Sequence, residues 1–315
     1  MAVAVDSATP SAHAGRWIGP VFAVVGTLAF SFKAILVKLA YAWDPVDATT
    51  LLALRMLYAA PFFAAMAWAS RDALPISRGD VLRLLWLGFI GYYLASFLDF
   101  LGLQYITAAL ERLVLYLYPT IVLILSAVLY GKPIRGRHVL ALALSYAGIV
   151  IVFWNDLRVT GDPRALALGG GLIFACAICH AIYMVGSAGI IGRLGSMRFI
   201  AWAMLASTAF VLVQFIVTRP LSALDVPLRI HALMLAMAVV STVLPTWMMA
   251  EAIRRIGANH TSLVGSLGPV FTIGLGAMIL GEGVHAIQLA GAALVLAGVL
   301  LVSLKRTPKA SSAQD

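Results

Sequence analysis

The sequence predicts an all-α integral membrane protein with ten transmembrane helices arranged as two inverted five-helix repeats. Three observations carry this expectation. Of the 315 residues 62% are hydrophobic and 11% charged, with a mean hydropathy of +0.99, whereas a soluble globular domain carries about 25% charged and about 45 to 50% apolar residues. Ten apolar runs approach the about 20 residues needed to cross a bilayer core of about 30 Å. Residues 106–148 also match residues 256–298 at a constant offset of 150, with 13 of 43 positions identical, against about four from chance in text of this composition.

The elements follow in order. Residues 1–15 (MAVAVDSATPSAHAG) are small and polar and lack the charged-then-apolar order of a cleavable export signal. They are expected to be a disordered cytoplasmic N-terminus, with the first apolar run retained as a helix. The runs of the first half are 18–41, 48–69, 81–103, 106–129 and a short one at 138–154; those of the second are 166–188, 196–217, 229–253, 259–280 and 284–304. Asp44-Pro45, Gly131-Lys132-Pro133 and Gly161-Asp162-Pro163 mark turns between them. No connection is long enough for a soluble domain. The expected organisation is one repeat over 16–154, a second over 155–304 and a cytoplasmic tail over 305–315.

Orientation follows from the basic residues. The formal charge of +9 is spread over short connections, which argues for topology signals rather than a nucleic-acid surface. Fourteen Lys and Arg fall on the side carrying both termini, from Arg16 to Lys309, against Arg158, Arg164, Arg219 and Arg229 on the other. By the positive-inside rule both termini are expected in the cytoplasm, in the inner membrane of a bacterium.

The internal match pairs Ile106 with Ile256, Ala108 with Ala258, Pro119 with Pro269, Gly131 with Gly281 and Ala147-Gly148 with Ala297-Gly298. Five helices per half is an odd number, so the second half enters the membrane from the opposite face. Inverted repeats of this kind characterise secondary transporters, whose substrate site lies near the midplane between the repeats.

The two copies read YITAALERLVLYLYPTIVLILSAVLYGKPI and RIGANHTSLVGSLGPVFTIGLGAMILGEGV. Each has Ile-x-Ala, an apolar run, a mid-helix Pro and a closing Gly followed by Lys or Glu. In these features the chain resembles the ten-helix EamA-type permeases of the drug/metabolite transporter superfamily, over nearly its whole length. The resemblance implies cytoplasmic termini, a central cavity lined largely by helices 3, 4, 8 and 9 with help from 1 and 6, and efflux of metabolites such as amino acids. Where such copies usually carry small or hydroxyl residues, the first copy here has Glu111 and Arg112.

Besides His and the run-end arginines already counted for orientation (Arg83, Arg198 and Arg229), seven charged residues fall within the runs: Lys33, Lys38, Arg55, Asp99, Glu111, Arg112 and Glu251. A charge at the centre of a helix in lipid costs about 2.5 to 3.5 kcal/mol on insertion scales, so such residues should face a cavity or a partner. Lys38 and Glu251 lie near helix ends, where they are expected to snorkel. Threading the topology places Lys33, Arg55, Asp99, Glu111 and Arg112 together in the outer half of the first repeat. Asp99 or Glu111 is expected to pair with Arg112 or Arg55 around a water-accessible cavity, the alternative being an ion-pair lock on the helix 3–4 hairpin. Neighbours on a helix point about 100° apart, so Glu111 and Arg112 need different partners.

Tyr92, Ser96, Tyr116 and Trp247 are further cavity candidates, Arg112 and Tyr116 sharing a face at a spacing of four. Ordinary packing or an interfacial belt is the competing explanation for any single aromatic. In the second half Ser262 and Ser266 follow Asn259-His260 on one face, and His180 and Tyr183 lie deep in helix 6. Pro119, Pro245 and Pro269 free backbone carbonyls in mid-membrane and permit kinks.

Two motif matches are rejected. Residues 176–180 read CAICH, the haem-attachment pattern, but lie inside a membrane helix. Asn259-His260-Thr261 matches a glycosylation sequon on the cytoplasmic side. Cys176 and Cys179 are the only cysteines, so no disulfide framework is expected. No nucleotide, metal or catalytic signature appears, and no cofactor is expected. The sequence thus predicts a secondary transporter exporting a small metabolite, an amino acid or related zwitterion, with membrane lipid around it and proton coupling open through a buried carboxylate. A multidrug or quaternary-amine exporter and an integral-membrane enzyme are the alternatives.

Overall fold

The computed structural model describes residues 12–71, 76–131, 136–160 and 162–303. Of the expected disordered N-terminus 1–15, residues 1–11 lie outside the described residues and Ala12–Gly15 instead form the start of a helix; the expected tail 305–315 lies outside the described residues. The first half contributes α1 (Ala12–Trp43), α2 (Ala48–Ala69), α3 (Arg78–Gly102), α4 (Ala108–Tyr130) and α5 (Gly136–Thr160). The second contributes α6 (Pro163–Leu194), α7 (Ser196–Thr218), α8 (Leu228–Ile256), α9 (Gly268–Leu280) and α10 (Ala286–Ser303). Eight of these are long and apolar enough to cross a membrane, and α9 and α10 are shorter apolar helices. The all-α, ten-helix membrane fold is therefore present.

Local chemistry starts several helices. Asp47 caps α2 by accepting from Thr49 N–H at 3.0 Å and Thr50 N–H at 3.2 Å, satisfying donors that have no intrahelical partner. Ser77 and Asp80 form a reciprocal capping box at the start of α3. Asp162 caps α6, with Pro163 at the first position, where its missing N–H costs nothing. Gly131 and Gly281 end α4 and α9 at φ 62° and 67°, a left-handed conformation that favours glycine.

The two halves share irregularities as well as helices. The backbone widens to π turns over Phe89–Leu94 in α3 and Val239–Val243 in α8, again 150 positions apart. α4 breaks at Tyr116–Leu117, and the run entering α9 breaks at Ser266–Leu267. Pro119 and Pro269 follow each break by two residues. Each break is bridged by a tight bond, from Leu117 N–H to Val114 O and from Leu267 N–H to Val264 O, both at 3.0 Å, because proline cannot donate and its ring crowds the carbonyl four residues back. Pro245 lies just beyond the α8 π turn, but the equivalent α3 turn has no proline, so proline alone does not cause the widening.

Several boundaries differ from expectation. α5 continues past 154 to Thr160 because buried Asp156 accepts from the Thr107 hydroxyl at 2.6 Å, giving a polar helix end a partner. Only Gly195, at φ 80°, separates α6 from α7. Across the expected loop after 253 every residue from Leu244 to Gly265 is helical, so the end of α8 and a following helical segment abut with no non-helical residue between them. The chain nevertheless reverses there. Gly26 lies against Met249 and Gly19 against Ile256, yet the Ser31 hydroxyl donates to Gly268 O at 3.2 Å. Position along α1 thus falls and then rises, so the turn lies between Ile256 and Gly265.

The two largest buried cores each mix helices from both halves. One joins α1, α2, α3, α7 and α8 through residues such as Ile35, Leu51, Phe63, Phe100 and Phe215. The other joins α4, α5, α6, α9 and α10 through Leu113, Val152, Ile173, Ile273 and Val295. α5 and α10 approach closely at Gly148, Gly291 and Gly298, as small residues permit where helices pack without a hydrophobic drive from lipid. Large apolar side chains such as Val128, Val217 and Met278 point outward, as expected of a lipid-facing belt.

Candidate functional site

Lys33, Arg55, Asp99, Glu111 and Arg112, drawn from α1 to α4, converge where helices of the two cores meet. Lys33 Nζ of α1 lies 2.7 Å from Asp99 Oδ2 of α3 and 3.5 Å from Glu111 Oε1 of α4. Both carboxylates are closed off, Asp99 at 1% and Glu111 at 0% exposure, while the Lys33 side chain keeps 16%. Burial makes this arrangement energetically sensitive, because an uncompensated ion inside protein costs several kcal/mol. The cation that holds the two carboxylates is therefore Lys33, not Arg112 or Arg55 as the topology alone suggested. Helix rotation is the reason: Arg112 projects away from Glu111, toward the second half.

Both arginines bridge the two halves through neutral oxygens. Arg55 donates from Nε to the Thr242 hydroxyl at 3.0 Å and from Nη1 to the Ser96 hydroxyl at 3.5 Å; its guanidinium lies 5.6 Å from the Phe100 ring centre. Arg112 donates from Nε to the Thr272 hydroxyl at 3.1 Å and from Nη2 to Phe30 O at 2.9 Å. One turn along α4, Tyr116 hydroxyl donates to Gly265 O. The helix break before Pro269 exposes that carbonyl to the tyrosine. α1, α2, α4, α8 and α9 are thus tied at one level by side chains that sequence spacing cannot pair.

The paired π turns of α3 and α8 face this region, whereas a third, Gly276–Leu280 at the end of α9, has no counterpart in α4. In α3 the widened turn carries Tyr92, whose hydroxyl lies 2.8 Å from that of Tyr183 in α6, and Gly91 in the same turn lies against the Tyr183 ring, where a Cβ would collide. In α8 it carries Thr242, whose hydroxyl reaches back to Met237 O at 3.2 Å and receives Arg55. Such turns re-aim side chains and recur at functional sites. Aromatic rings continue from Tyr183 through His180 to Tyr118 and Tyr116, with centroid separations of 5.8, 5.1 and 6.3 Å.

Other expected residues lie elsewhere. Trp247 is 42% exposed and packs against Phe22 at 5.4 Å, apart from the charged group. Ser266 sits at the break before α9. The Ser262 side chain lies outside the described residues. Glu251 pairs with Arg254 and Arg255 at 2.5 and 2.7 Å near the end of α8. Lys38 does not snorkel; its Nζ donates to Ile106 O at 2.8 Å, tying α1 to the tip of the α3–α4 hairpin.

That tip also contains residues the sequence did not single out. Glu282, after α9, accepts from Ala108 N–H at 3.0 Å, so a carboxylate from the second half caps α4 of the first, where the helix dipole favours negative charge. Arg229 bonds Asp44 Oδ2 and Trp43 O at 2.6 and 2.7 Å, and Arg219 lies 3.2 Å from Asp47. These contacts tie the halves at the face where α1 ends. At the face where α3 begins, Arg193 of α6 pairs with buried Asp80. Thr242, Thr272 and Glu282 left no sequence signal, since threonine in an apolar helix and a glutamate in a turn are unremarkable alone.

Known proteins match this chain over most of its length. A family model described as the EamA-like transporter family matches residues 17–154 and again 167–304. The chain is similar to the Uncharacterized transporter YcbK of Bacillus subtilis (strain 168), 30% identical over 285 residues that span 87% of this chain and 88% of that one. It is also similar to the Uncharacterized transporter YyaM of the same organism, 26% identical over 74% of this chain and 76% of that one. A solved structure described as "Crystal structure of protein" superposes with a TM-score of 0.62 over 92% of this chain and 96% of its own, at 21% identity. That likeness is of fold alone.

Proposed function

The chain belongs to the EamA-like transporter family, and from that premise we propose that this multi-pass membrane transporter exports a small amino acid or related zwitterion by alternating access. In this reading it lies in a bacterial inner membrane with both termini in the cytoplasm. The observation that carries it is the buried charged group at the join of two inverted repeats, where Arg55 and Arg112 of one half bond Thr242 and Thr272 of the other. Relative rocking of the halves would break or remake those bonds, which is what alternating access around a fixed site requires. A cargo bearing both charges suits a group with both ammonium and carboxylate side chains. Ser96, Tyr116 and His180, which are only partly buried, then form the approach to the site.

Counterflow in proteoliposomes tests this reading. Trapped unlabelled L-amino acid should drive accumulation of its labelled form with no chemical change. Counterflow confined to quaternary amines would favour a multidrug exporter, and turnover without net movement an enzyme. A proton as coupling ion is supported by Glu111, a fully buried carboxylate that sits beside a second one, Asp99, with a single ammonium shared between them. Transport by Glu111→Gln that still follows an imposed pH gradient would remove that role.

A further inference from the structure

Around the Lys33 group the two guanidiniums are left without a carboxylate of their own, while Lys38 at the hairpin tip faces Glu282 and Asp156. Lys33, Arg55 and Arg112 supply three cations against the two carboxylates of Asp99 and Glu111, and both carboxylates are drawn to Lys33. Neither guanidinium has a carboxylate within ion-pair distance among the described residues; each bonds neutral oxygens only. A guanidinium offers five N–H donors in a planar fork, and the bonds of Arg55 and Arg112 engage two donor nitrogens each. Buried charge without a counter-charge is costly. Planar bidentate capture of an oxyanion is the use for which Arg is favoured over Lys.

Resting on the transporter reading, we propose that Arg112, assisted by Arg55, is the subsite that binds the carboxylate of the cargo. The carboxylate supplies the missing negative charge and takes the fork donors that now meet only hydroxyl and carbonyl oxygens. Arg112 is the principal ligand because of its position. It holds Thr272 of α9 with Nε and Phe30 O of α1 with Nη2, so an anion arriving there competes with a bond between the halves. Occupancy and rocking are thereby linked through one side chain. Lys33 is committed to Asp99 and Glu111 and is left out of this subsite. Specificity follows: a carboxylate is required, and a cargo with that group masked loses its strongest contact.

The test is thermal denaturation of the full-length protein in detergent. The probes are a mixture of L-amino acids, the same compounds as methyl esters, sodium phosphate, and tetraphenylphosphonium chloride. The acids should raise the midpoint saturably and the esters should not, since binding to the native state stabilises it. Arg112→Gln should weaken the apparent affinity for the acids roughly ten- to hundredfold, and Arg112→Lys should weaken it less. Esters that stabilise as well as the acids overturn the inference, as does undiminished binding by Arg112→Gln. Stabilisation by phosphate alone assigns the guanidiniums to a different oxyanion, and stabilisation by tetraphenylphosphonium alone, or by none of the probes, also overturns it. If Arg112→Gln does not fold, the acid-against-ester comparison in the unaltered protein decides. Counterflow of any of these compounds would leave the transporter reading standing, so the two failures are separable.

Discussion

Lys33 holds Asp99 at 2.7 Å while Glu111 stands 0.8 Å further from the same ammonium, at 3.5 Å. One cation thus serves two buried carboxylates unequally. The inequality orders the consequences of changing each of them.

Removing the shared cation should be the most damaging change. Lys33→Met leaves two closed-off carboxylates without their ammonium, and breaking a buried pair in this way costs about 3 to 5 kcal/mol. The expected outcome is a large fall in the thermal midpoint in detergent. Combining it with Asp99→Asn and Glu111→Gln should recover part of the loss. No recovery would show that Lys33 stabilises through packing instead.

Asp99→Asn and Glu111→Gln should differ in size. Asp99 makes the close contact, so its amide loses a charge-assisted interaction worth about 1.5 to 3 kcal/mol. Glu111 stands farther from Lys33 and beside the like-charged Asp99, so its amide relieves both repulsion and competition for the ammonium, and its effect on stability should lie within about 1 kcal/mol either way. Paired melting curves decide; a larger fall for Glu111→Gln contradicts the geometry.

The α5–α10 seam should be intolerant of a methyl group. A Cβ at Gly298 would lie 2.5 Å from Ala141 O, and one at Gly291 would lie 2.7 Å from Gly148 O. Backbone cannot yield as a side-chain tip can. Gly298→Ala should therefore destabilise by about 1 to 3 kcal/mol, whereas Gly171→Ala, with open space around it, should be silent or mildly stabilising. Expression level and melting midpoint in a common detergent provide the comparison.

Glu282 should govern opening at the face where α1 ends. Its Oε1 accepts from Ala108 N–H across the repeats, and loss of such a cap costs about 0.5 to 2 kcal/mol. Glu282→Ala should favour states open at that face. Cys176 and Cys179 are buried now, and in the variant they should react faster with a membrane-impermeant thiol reagent added from that side. Equal rates in both proteins would separate the cap from gating.

Much of this was legible in the residues themselves. The offset of 150 between Pro119 and Pro269, and between Gly131 and Gly281, anticipates the paired helix breaks and paired left-handed caps, because proline and glycine act on the backbone directly. The paired π turns were not legible. FIGYYL and VVSTVL share only their final leucine, and a shift of the hydrogen-bond register by one residue leaves no compositional mark. The partners of the charges were equally hidden: spacing indicates that Glu111 and Arg112 face different ways, but not what each meets.

The sequence by itself determined the solvent, the number of crossings and the inverted repeat, because each is set by the length and order of apolar runs along one chain. Only the tertiary structure decided that Lys33 takes both carboxylates, that Arg55 and Arg112 reach across to Thr242 and Thr272, and that Glu282 caps α4. Those outcomes depend on how each helix is rotated about its axis and which neighbour it meets. Packing contacts between residues far apart in the chain set that rotation, and no local pattern encodes it.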